Sequence, residues 1–282
     1  MGAVPAAWSR LIDDAAVFPP GDAPLADAVA AYRARHDEWY ADLVGPLVVK
    51  DTDLPEVPAD IPVSVVLTGG AGAVAGVATL ATKRGHQLVG LEAAVRDLDD
   101  MASAVRRITA AADAARDDGA LLDTQVYVEL PQVEPTRDWL AAADAAAESE
   151  HRLKLRTGGL EAHLFPSAAT VAAWIDAALD RETPFKCTAG LHHAVRHRDH
   201  ETGFEHLGFL NVLLATRVAF DGGSTAEVAR VLDDHYANDL VAMARQSDLE
   251  GARRWFTSYG SCSVSEPVDE LVGLGLLEVR HE

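Results

Sequence analysis

Lysine is rare in this chain of 282 residues, which has 24 basic residues but only four lysines. The four are Lys50, Lys83, Lys154 and Lys186, and the other basic residues are arginines. The difference matters chemically, because arginine stays protonated in proteins, whereas a desolvated lysine can become a neutral amine that attacks a carbonyl group. A lysine within a buried strand is therefore a candidate nucleophile.

Lys154 and Lys186 both fall within short apolar segments that we predict to be strands. Side chains alternate along a strand, so Lys154 shares a face with Arg156. By the same rule, Lys186 shares a face with Thr188. An ionisable side chain is costly to bury unless it is paired, so charge on the inner face of such strands indicates a functional site.

Acidic residues interrupt three other predicted strands. Glu129 shares a face with Tyr127 in one of them, and Glu92 lies among small residues in another. We expect these two glutamates to meet the two lysines inside the sheet. Asp13 and Asp14 lie in the first predicted strand, and their pattern fits site carboxylates and a polar strand end equally well.

Short apolar runs alternate with longer Ala-rich segments of helical period, which is typical of βα units around a parallel sheet. The predicted strands are residues 11–18, 46–50, 62–68, 87–95, 124–130, 153–156, 184–188 and 254–259. The predicted helices are residues 25–43, 73–83, 98–117, 136–149, 167–181, 204–217, 224–245 and 266–276. Eight such units favour a single-domain (β/α)8 TIM barrel over residues 1–282, with a His-rich insertion at about 191–225 after strand seven.

Two short motifs carry the buried lysines. Lys154 begins the sequence Lys-Leu-Arg-Thr-Gly at 154–158, and Lys186 follows Phe185 and precedes Thr-Ala-Gly at 188–190. The two motifs resemble the strand-six and strand-seven motifs of the deoxyribose-phosphate aldolases. This resemblance implies a TIM barrel and a class I aldolase, with Lys154 as the lysine that forms the Schiff base and Lys186 as the second lysine.

Weaker similarities to the same family occur in the expected order. The sequence ending at Asp13 is similar to the family's opening strand, and Glu129 resembles its strand-five glutamate. The segment 260–263, Gly-Ser-Cys-Ser, is similar to its strand-eight phosphate loop, which implies that Gly260 and Ser261 hold an anionic group of the substrate.

The chain also departs from the family pattern. Glu92 stands where the family places an aspartate, and Thr188-Ala189 replaces a double glycine used for phosphate approach. Arg156 is not part of the pattern, and we expect it to bind a substrate carboxylate or phosphate through two parallel hydrogen bonds.

Five of the eleven histidines lie in the loop after strand seven. On a helix, His193 and His197 would face the same way, with Asp199 or Glu205 supplying an oxygen ligand to a metal. The same loop could instead be a polar cover over the site, or His192 or His193 could act as a general acid or base. All three interpretations stay open.

The formal net charge is −20, from 24 basic and 44 acidic residues. Such a balance argues against binding to nucleic acid or anionic lipid, because phosphate binding needs clustered positive charge. No apolar run is long enough to span a bilayer and no secretory leader is evident, so we expect a cytoplasmic protein. Cys187 and Cys262 cannot form a disulfide framework and lack zinc-site spacing.

The sequence therefore predicts a class I aldolase, or a related carbon–carbon lyase, in which Lys154 attacks a small anionic carbonyl compound. We expect Lys186 to lower the pKa of Lys154 by like-charge repulsion, and Glu92 and Glu129 to move protons. The predicted substrate-binding residues are Asp13, Asp14, Arg156, Thr188, His192, His193, Gly260 and Ser261.

No metal or organic cofactor is expected for this chemistry. The expected partner is a small-molecule substrate, and the sequence leaves homo-oligomerisation open. Two alternatives remain. One is a metal-dependent barrel hydrolase or lyase that uses the loop from His192 to His206, and the other is a non-catalytic barrel that binds an anion.

Overall fold

Eight parallel strands close into a barrel in the computed structural model, which describes residues 4–121 and 123–279. The barrel strands are β1 (Ile12–Asp14), β2 (Val44–Lys50), β3 (Pro62–Val66), β4 (Gln87–Ala94), β5 (Gln125–Glu129), β6 (Arg152–Arg156), β7 (Phe185–Thr188) and β10 (Phe256–Ser261). Each strand pairs with the barrel strands before and after it in the chain, and β10 closes the ring against β1. The predicted (β/α)8 TIM barrel is confirmed.

Helices follow the barrel strands other than β2 and cover the outside of the barrel. They are α1 (Leu25–Ala34), α2 (Val74–Arg84), α3 (Met101–Asp117), α4 (Arg137–Glu148), α5 (Ala168–Asp180), α6 (Phe209–Phe220), α7 (Thr225–Leu232), α8 (Ala237–Gln246), α9 (Leu249–Ala252) and α10 (Ser265–Gly273). Several begin at polar side chains that cap free backbone N–H groups. Asp100 accepts from the N–H of Ser103, and Ser224 forms a capping box with Glu227 at the start of α7.

None of these helices, in the part of the chain that the structure describes, has the length and apolar character needed to traverse a bilayer.

The barrel strands are buried on both faces. In β6, Leu153, Lys154 and Leu155 are 0%, 3% and 2% exposed. Alternation sends the two leucines outward to the helices and the lysine into the barrel interior. The apolar core thus lies between strands and helices, and this leaves the interior of the barrel available to a layer of charged side chains.

The first strand is shorter than predicted, because the chain turns directly after Asp14. The Asp14 carboxylate accepts a hydrogen bond of 3.1 Å from the N–H of Ala16, and the N–H of Phe18 donates to the carbonyl of Ala15. Both bonds bend the backbone away from β1, so the predicted strand over 11–18 ends at Asp14.

The loop after β7 is not helical. It contains a short antiparallel hairpin of β8 (His197–Arg198) and β9 (Glu205–His206), and α6 starts only at Phe209. At the tip of the hairpin, Asp199 accepts hydrogen bonds from the backbone N–H groups of Glu201 and Thr202. The helix predicted from residue 204 therefore begins only at Phe209, and His193 and His197 do not lie on a common helix.

The predicted helix over 224–245 is divided into α7 and α8. Asn211 of α6 is fully buried, and its side-chain N–H groups donate to the carbonyls of Val231 and Asp234 at 2.8 Å each. Both carbonyls belong to the segment that ends α7 and links it to α8. A buried tertiary contact thus satisfies groups that a continuous helix would have bonded internally.

Candidate active site

The register of the parallel strands brings the charged residues of four strands side by side. Lys154 of β6 pairs with Lys186 of β7, and Glu129 of β5 pairs with Lys154. Glu92 of β4 pairs with Tyr127 of β5. The side chains of these charged residues project into the barrel, together with those of Asp13 of β1 and Arg156 of β6. We call this group the central cluster: Asp13, Glu92, Glu129, Lys154, Arg156 and Lys186.

Glu92 lies at the middle of the central cluster and is 2% exposed. Its Oε2 atom is 2.8 Å from Nζ of Lys154, and its Oε1 atom is 2.7 Å from Nζ of Lys186. The hydroxyl of Ser64 donates a third bond of 2.6 Å to Oε1. One carboxylate therefore joins both lysines.

Lys154 has a second acidic partner in Glu129, whose Oε2 atom is 2.8 Å from Nζ. The other oxygen of Glu129 accepts a bond of 2.8 Å from Nε of Arg156. Lys154 is thus held between two carboxylates, and Glu129 connects it to a guanidinium one layer nearer the C-terminal ends of the strands.

Lys186 is bound on the other side by Asp13, with 2.5 Å between Nζ and Oδ2. The hydroxyl of Ser258 donates to the same carboxylate oxygen at 2.9 Å. Nζ of Lys186 also lies 5.0 Å from the centroid of the Tyr127 ring, within the range of a cation–π contact. The central cluster therefore contains three cations and three carboxylates, all of them paired.

This arrangement sets the protonation of the cluster. Burial disfavours the charge of Lys154, but the attraction of Glu92 and Glu129 outweighs it, so the pKa of Lys154 is raised. The pKa of Lys186 is raised in the same way by Asp13 and Glu92. Burial likewise opposes the charge of Glu92, yet the two lysines hold its pKa well below the usual range.

The expectation that Lys186 lowers the pKa of Lys154 is therefore not met in the resting site. The two lysines are neighbours in register, but Glu92 lies between their amines and bonds to both. An opposite charge at 2.8 Å favours the protonated amine more than a second lysine disfavours it. Lys154 rests as an ammonium ion.

Other predicted substrate residues lie on the C-terminal side of the lysines. Arg156, Thr188 and Gly260 are paired in register across β6, β7 and β10. Arg156 is about a third exposed, and Thr188 is partly exposed. These residues form the rim of the barrel directly above the central cluster, where substrate sites of TIM barrels lie.

Asp14 and Ser261 were predicted to bind the substrate, but both are bonded to other groups of the protein. Asp14 points away from Asp13, as adjacent strand residues do, and pairs with Arg35 after α1. Ser261 is the last residue of β10, and its hydroxyl donates to the carbonyl of Ser263 at 2.6 Å. The hydroxyl that accepts from the first turn of α10 belongs to Ser263, which bonds the N–H of Glu266.

Two histidines of the loop, His192 and His193, contact acidic residues of α10. Nδ1 of His192 lies 3.4 Å from Glu266, and both ring nitrogens lie 3.7 Å from Sγ of Cys262. His193 is paired with Glu270. Within residues 4–121 and 123–279, no group of three or more histidine, cysteine, aspartate or glutamate side chains is arranged to hold a metal ion.

Sequence reasoning overlooked two hydroxyl groups of the site. Ser64 lies in the middle of β3 between valines, and Ser258 lies at the third position of β10. A single polar residue on the inner face of an otherwise apolar strand was the available signal, because a buried hydroxyl needs a partner. The residues that these hydroxyls contact, Glu92 and Asp13, were predicted as site residues from the sequence.

The sequence matches no protein-family model, and a search of curated proteins finds no similar chain.

Proposed function

We propose that this barrel is a class I aldolase, or a related carbon–carbon lyase, that forms a Schiff base through Lys154 with a small anionic carbonyl compound. The observation that carries the proposal is the position of its amine, 2.8 Å from both Glu92 and Glu129 inside the barrel. An amine with two carboxylates in contact has a proton acceptor on either side, which formation of a carbinolamine and its dehydration require.

The first step is a proton transfer. The pKa of Lys154 is raised, so the amine rests protonated and must give a proton to Glu129 or Glu92 before it can attack the substrate carbonyl. The neutral amine forms the C–N bond, and one of its two protons moves to the carbonyl oxygen to give a carbinolamine. Loss of water, with the proton returned by the carboxylic acid, leaves an iminium ion.

Carbon–carbon cleavage follows from the iminium ion. A carboxylate removes the proton of the β-hydroxyl group, the C–C bond breaks, and its electron pair moves into the iminium to give an enamine and a free aldehyde. Protonation of the enamine carbon and hydrolysis release the second product and return Lys154. Glu92 and Glu129 are the acid–base residues that we assign to these transfers.

Lys186 has a supporting role in this proposal. It shares Glu92 with Lys154 and pairs with Asp13, so it keeps Glu92 ionised and oriented toward Nζ of Lys154. We therefore assign Lys186 to positioning Glu92. Lowering the pKa of Lys154 by repulsion is not its role, because Glu92 lies between the two amines.

Arg156 is the residue that we propose to bind the anionic group of the substrate. Its Nε–H is bonded to Glu129, and its terminal amino groups make no hydrogen bond within the described part of the chain. The guanidinium stands on the C-terminal side of Lys154, where it can bind a carboxylate or a phosphate through two parallel bonds.

Borohydride trapping tests the proposal. The protein is incubated with acetaldehyde, pyruvate or dihydroxyacetone, reduced with sodium borohydride and digested for peptide mass spectrometry. We expect an adduct on Lys154 in the wild type and in Lys83→Arg, which changes a surface lysine, and none in Lys154→Arg, because a guanidinium cannot replace the amine. A carbonyl compound that is turned over without labelling Lys154 would refute the proposal.

A further inference from the structure

A cavity at the opposite end of the barrel carries a second group of charged residues. Its volume is about 380 Å³, its three arginines lie at or just before the starts of strands, and its inner end reaches Asp13 and Lys186 of the central cluster. Arg10 precedes β1, Arg152 is the first residue of β6, and Arg253 precedes β10. The volume lies within the range of small-molecule sites, roughly 300–1,000 Å³. We call this feature the amino-end cavity.

The lining of the amino-end cavity is strongly cationic. Four cationic side chains and one carboxylate line it, and that carboxylate, Asp13, is bonded to Lys186. Arg10, Arg152 and Arg253 form no ion pair with any carboxylate among the described residues. What distinguishes these three arginines is that all of them line the same cavity.

Arg253 is fixed by the backbone. Its Nε donates to the carbonyl of Phe256 at 3.0 Å, and its Nη1 donates to those of Ala7 and Ser9 at 2.9 and 3.1 Å. None of these acceptors is a carboxylate, and burial lowers the pKa of Arg253 to about 10 against the opposing effect of Asp13. A bound anion would supply the missing negative charge.

Arg10 and Arg152 keep donors available for a ligand. Arg152 rests against Tyr127, with its guanidinium carbon 6.0 Å from the ring centroid and one long bond of 3.4 Å to the hydroxyl. The Arg10 side chain makes no hydrogen bond within the described residues. Its backbone has a positive φ of 50° and is held by an N–H bond of 2.7 Å to Asp42, an uncommon conformation that fixes Arg10 at the rim of the cavity.

We propose that the amino-end cavity binds a small oxyanion of the phosphate class, through Arg10 and Arg152 and with the partly buried charge of Arg253. The planar guanidinium fork matches the spacing of phosphate oxygens. Because three unpaired positive charges suit a dianion, phosphate fits better than a single carboxylate. The cavity is larger than a phosphate ion, so a small phosphate monoester also fits. The site is separate from the rim around Arg156 and does not depend on the lyase proposal.

Calorimetric titration tests this site. Inorganic phosphate and, separately, glycerol 3-phosphate are titrated at low ionic strength into the wild type and the double variant Arg10→Gln/Arg152→Gln. The control, Arg106→Gln/Arg137→Gln, removes the same charge from exposed positions outside the cavity. We expect one site in the wild type and in the control, and binding at least about 100-fold weaker in the cavity variant, since two charged hydrogen bonds are lost.

The two ligands identify the form of the oxyanion. Binding of both indicates the free ion and its esters, whereas binding of glycerol 3-phosphate alone indicates that the natural ligand is an ester. If neither binds to the wild type at millimolar concentration, or if the control loses affinity as much as the cavity variant does, the proposal is wrong.

Two further variants serve as controls for misfolding and for the lyase proposal. Arg152→Lys keeps the charge but loses the planar fork, so we expect intermediate affinity even if the double variant folds poorly. Lys154→Arg should bind phosphate as the wild type does, which separates failure of this site from failure of the lyase proposal. An unchanged affinity in both Arg152→Lys and the double variant would overturn the assignment.

Discussion

The central cluster and the amino-end cavity differ in how their positive charges are compensated. In the central cluster, each of the three cations contacts a carboxylate, and Glu92 serves both lysines. Four cations and one carboxylate line the amino-end cavity, and that carboxylate is already paired with Lys186. The first region is compensated by the protein itself, and the second is left for an external anion.

Charge compensation decides what chemistry each region can perform. A compensated cluster is stable at rest, but its nucleophile is protonated, so reaction begins with proton transfer inside the cluster. An uncompensated cationic cavity is ready to bind but has no acid–base partner for turnover. Lys186 lines both regions, since it contacts Glu92 in the cluster and forms part of the cavity lining.

The largest effect is expected for Glu92→Gln. Removing this charge leaves two buried ammonium groups short of one partner, so the free energy of unfolding should fall by about 3–5 kcal/mol. Urea unfolding followed by circular dichroism measures it. Glu148→Gln, an exposed glutamate of α4, is the matched control and should unfold as the wild type does. A loss below about 1 kcal/mol in Glu92→Gln would show that the cluster is less desolvated than its contacts indicate.

Glu129→Gln should cost less, about 2 kcal/mol at pH 7, because it removes bonds to charged groups at a partly accessible position. Burial opposes the charge of Glu129, but Lys154 and Arg156 together lower its pKa.

The stability that Glu129 contributes depends on pH. A lowered carboxyl pKa stabilises the folded state above the unfolded value of about 4.3, and this contribution is lost as the pH falls below it through the folded pKa. The difference in unfolding free energy between the wild type and Glu129→Gln should therefore shrink from pH 5 to pH 3. A difference that grows toward acid pH would contradict this assignment of the pKa direction.

Ser261→Ala should have a smaller effect, about 1 kcal/mol, because one hydrogen bond within the turn after β10 is lost. Since the hydroxyl already donates to Ser263, we expect the KM of a substrate found by trapping to stay unchanged. A clear rise in KM with constant kcat would instead support the anion-binding role that the family resemblance implies for Ser261.

The smallest effect on stability is expected for Arg152→Gln without phosphate. Arg152 has no ion pair among the described residues and is partly exposed, so the free energy of unfolding should change by less than about 1 kcal/mol. In saturating phosphate, the wild type should gain stability that Arg152→Gln gains only in part. A large loss without phosphate would mean that Arg152 is structural, and the contrast between the two regions would fail.

Much of the central cluster could be predicted from local pattern. The period of two in β6 and β7 places Lys154 and Lys186 on inward faces, and the same rule places Glu92 and Glu129. The eight strand segments were found for the same reason, because buried parallel strands are short apolar runs. The predicted ends of the strands were less accurate where a side-chain hydrogen bond turns the chain early, as the bond from Ala16 N–H to Asp14 does after β1.

The amino-end cavity could not be predicted in this way. Arg10, Arg152 and Arg253 are distant in the chain, and each resembles an ordinary polar residue at the start of a strand. Only closure of the barrel, with β10 beside β1, places them around one cavity. The hairpin of β8 and β9 escaped prediction as well, because two-residue strands leave no periodic signal.

The sequence by itself determined the scarcity of lysine, the alternation of strands and helices and the inward position of both buried lysines. These properties depend on neighbours within a few residues. The tertiary structure decided that Glu92 lies between the two amines and that three arginines share one cavity. Protonation and charge compensation depend on distances of a few ångströms between strands, and no single strand contains that information.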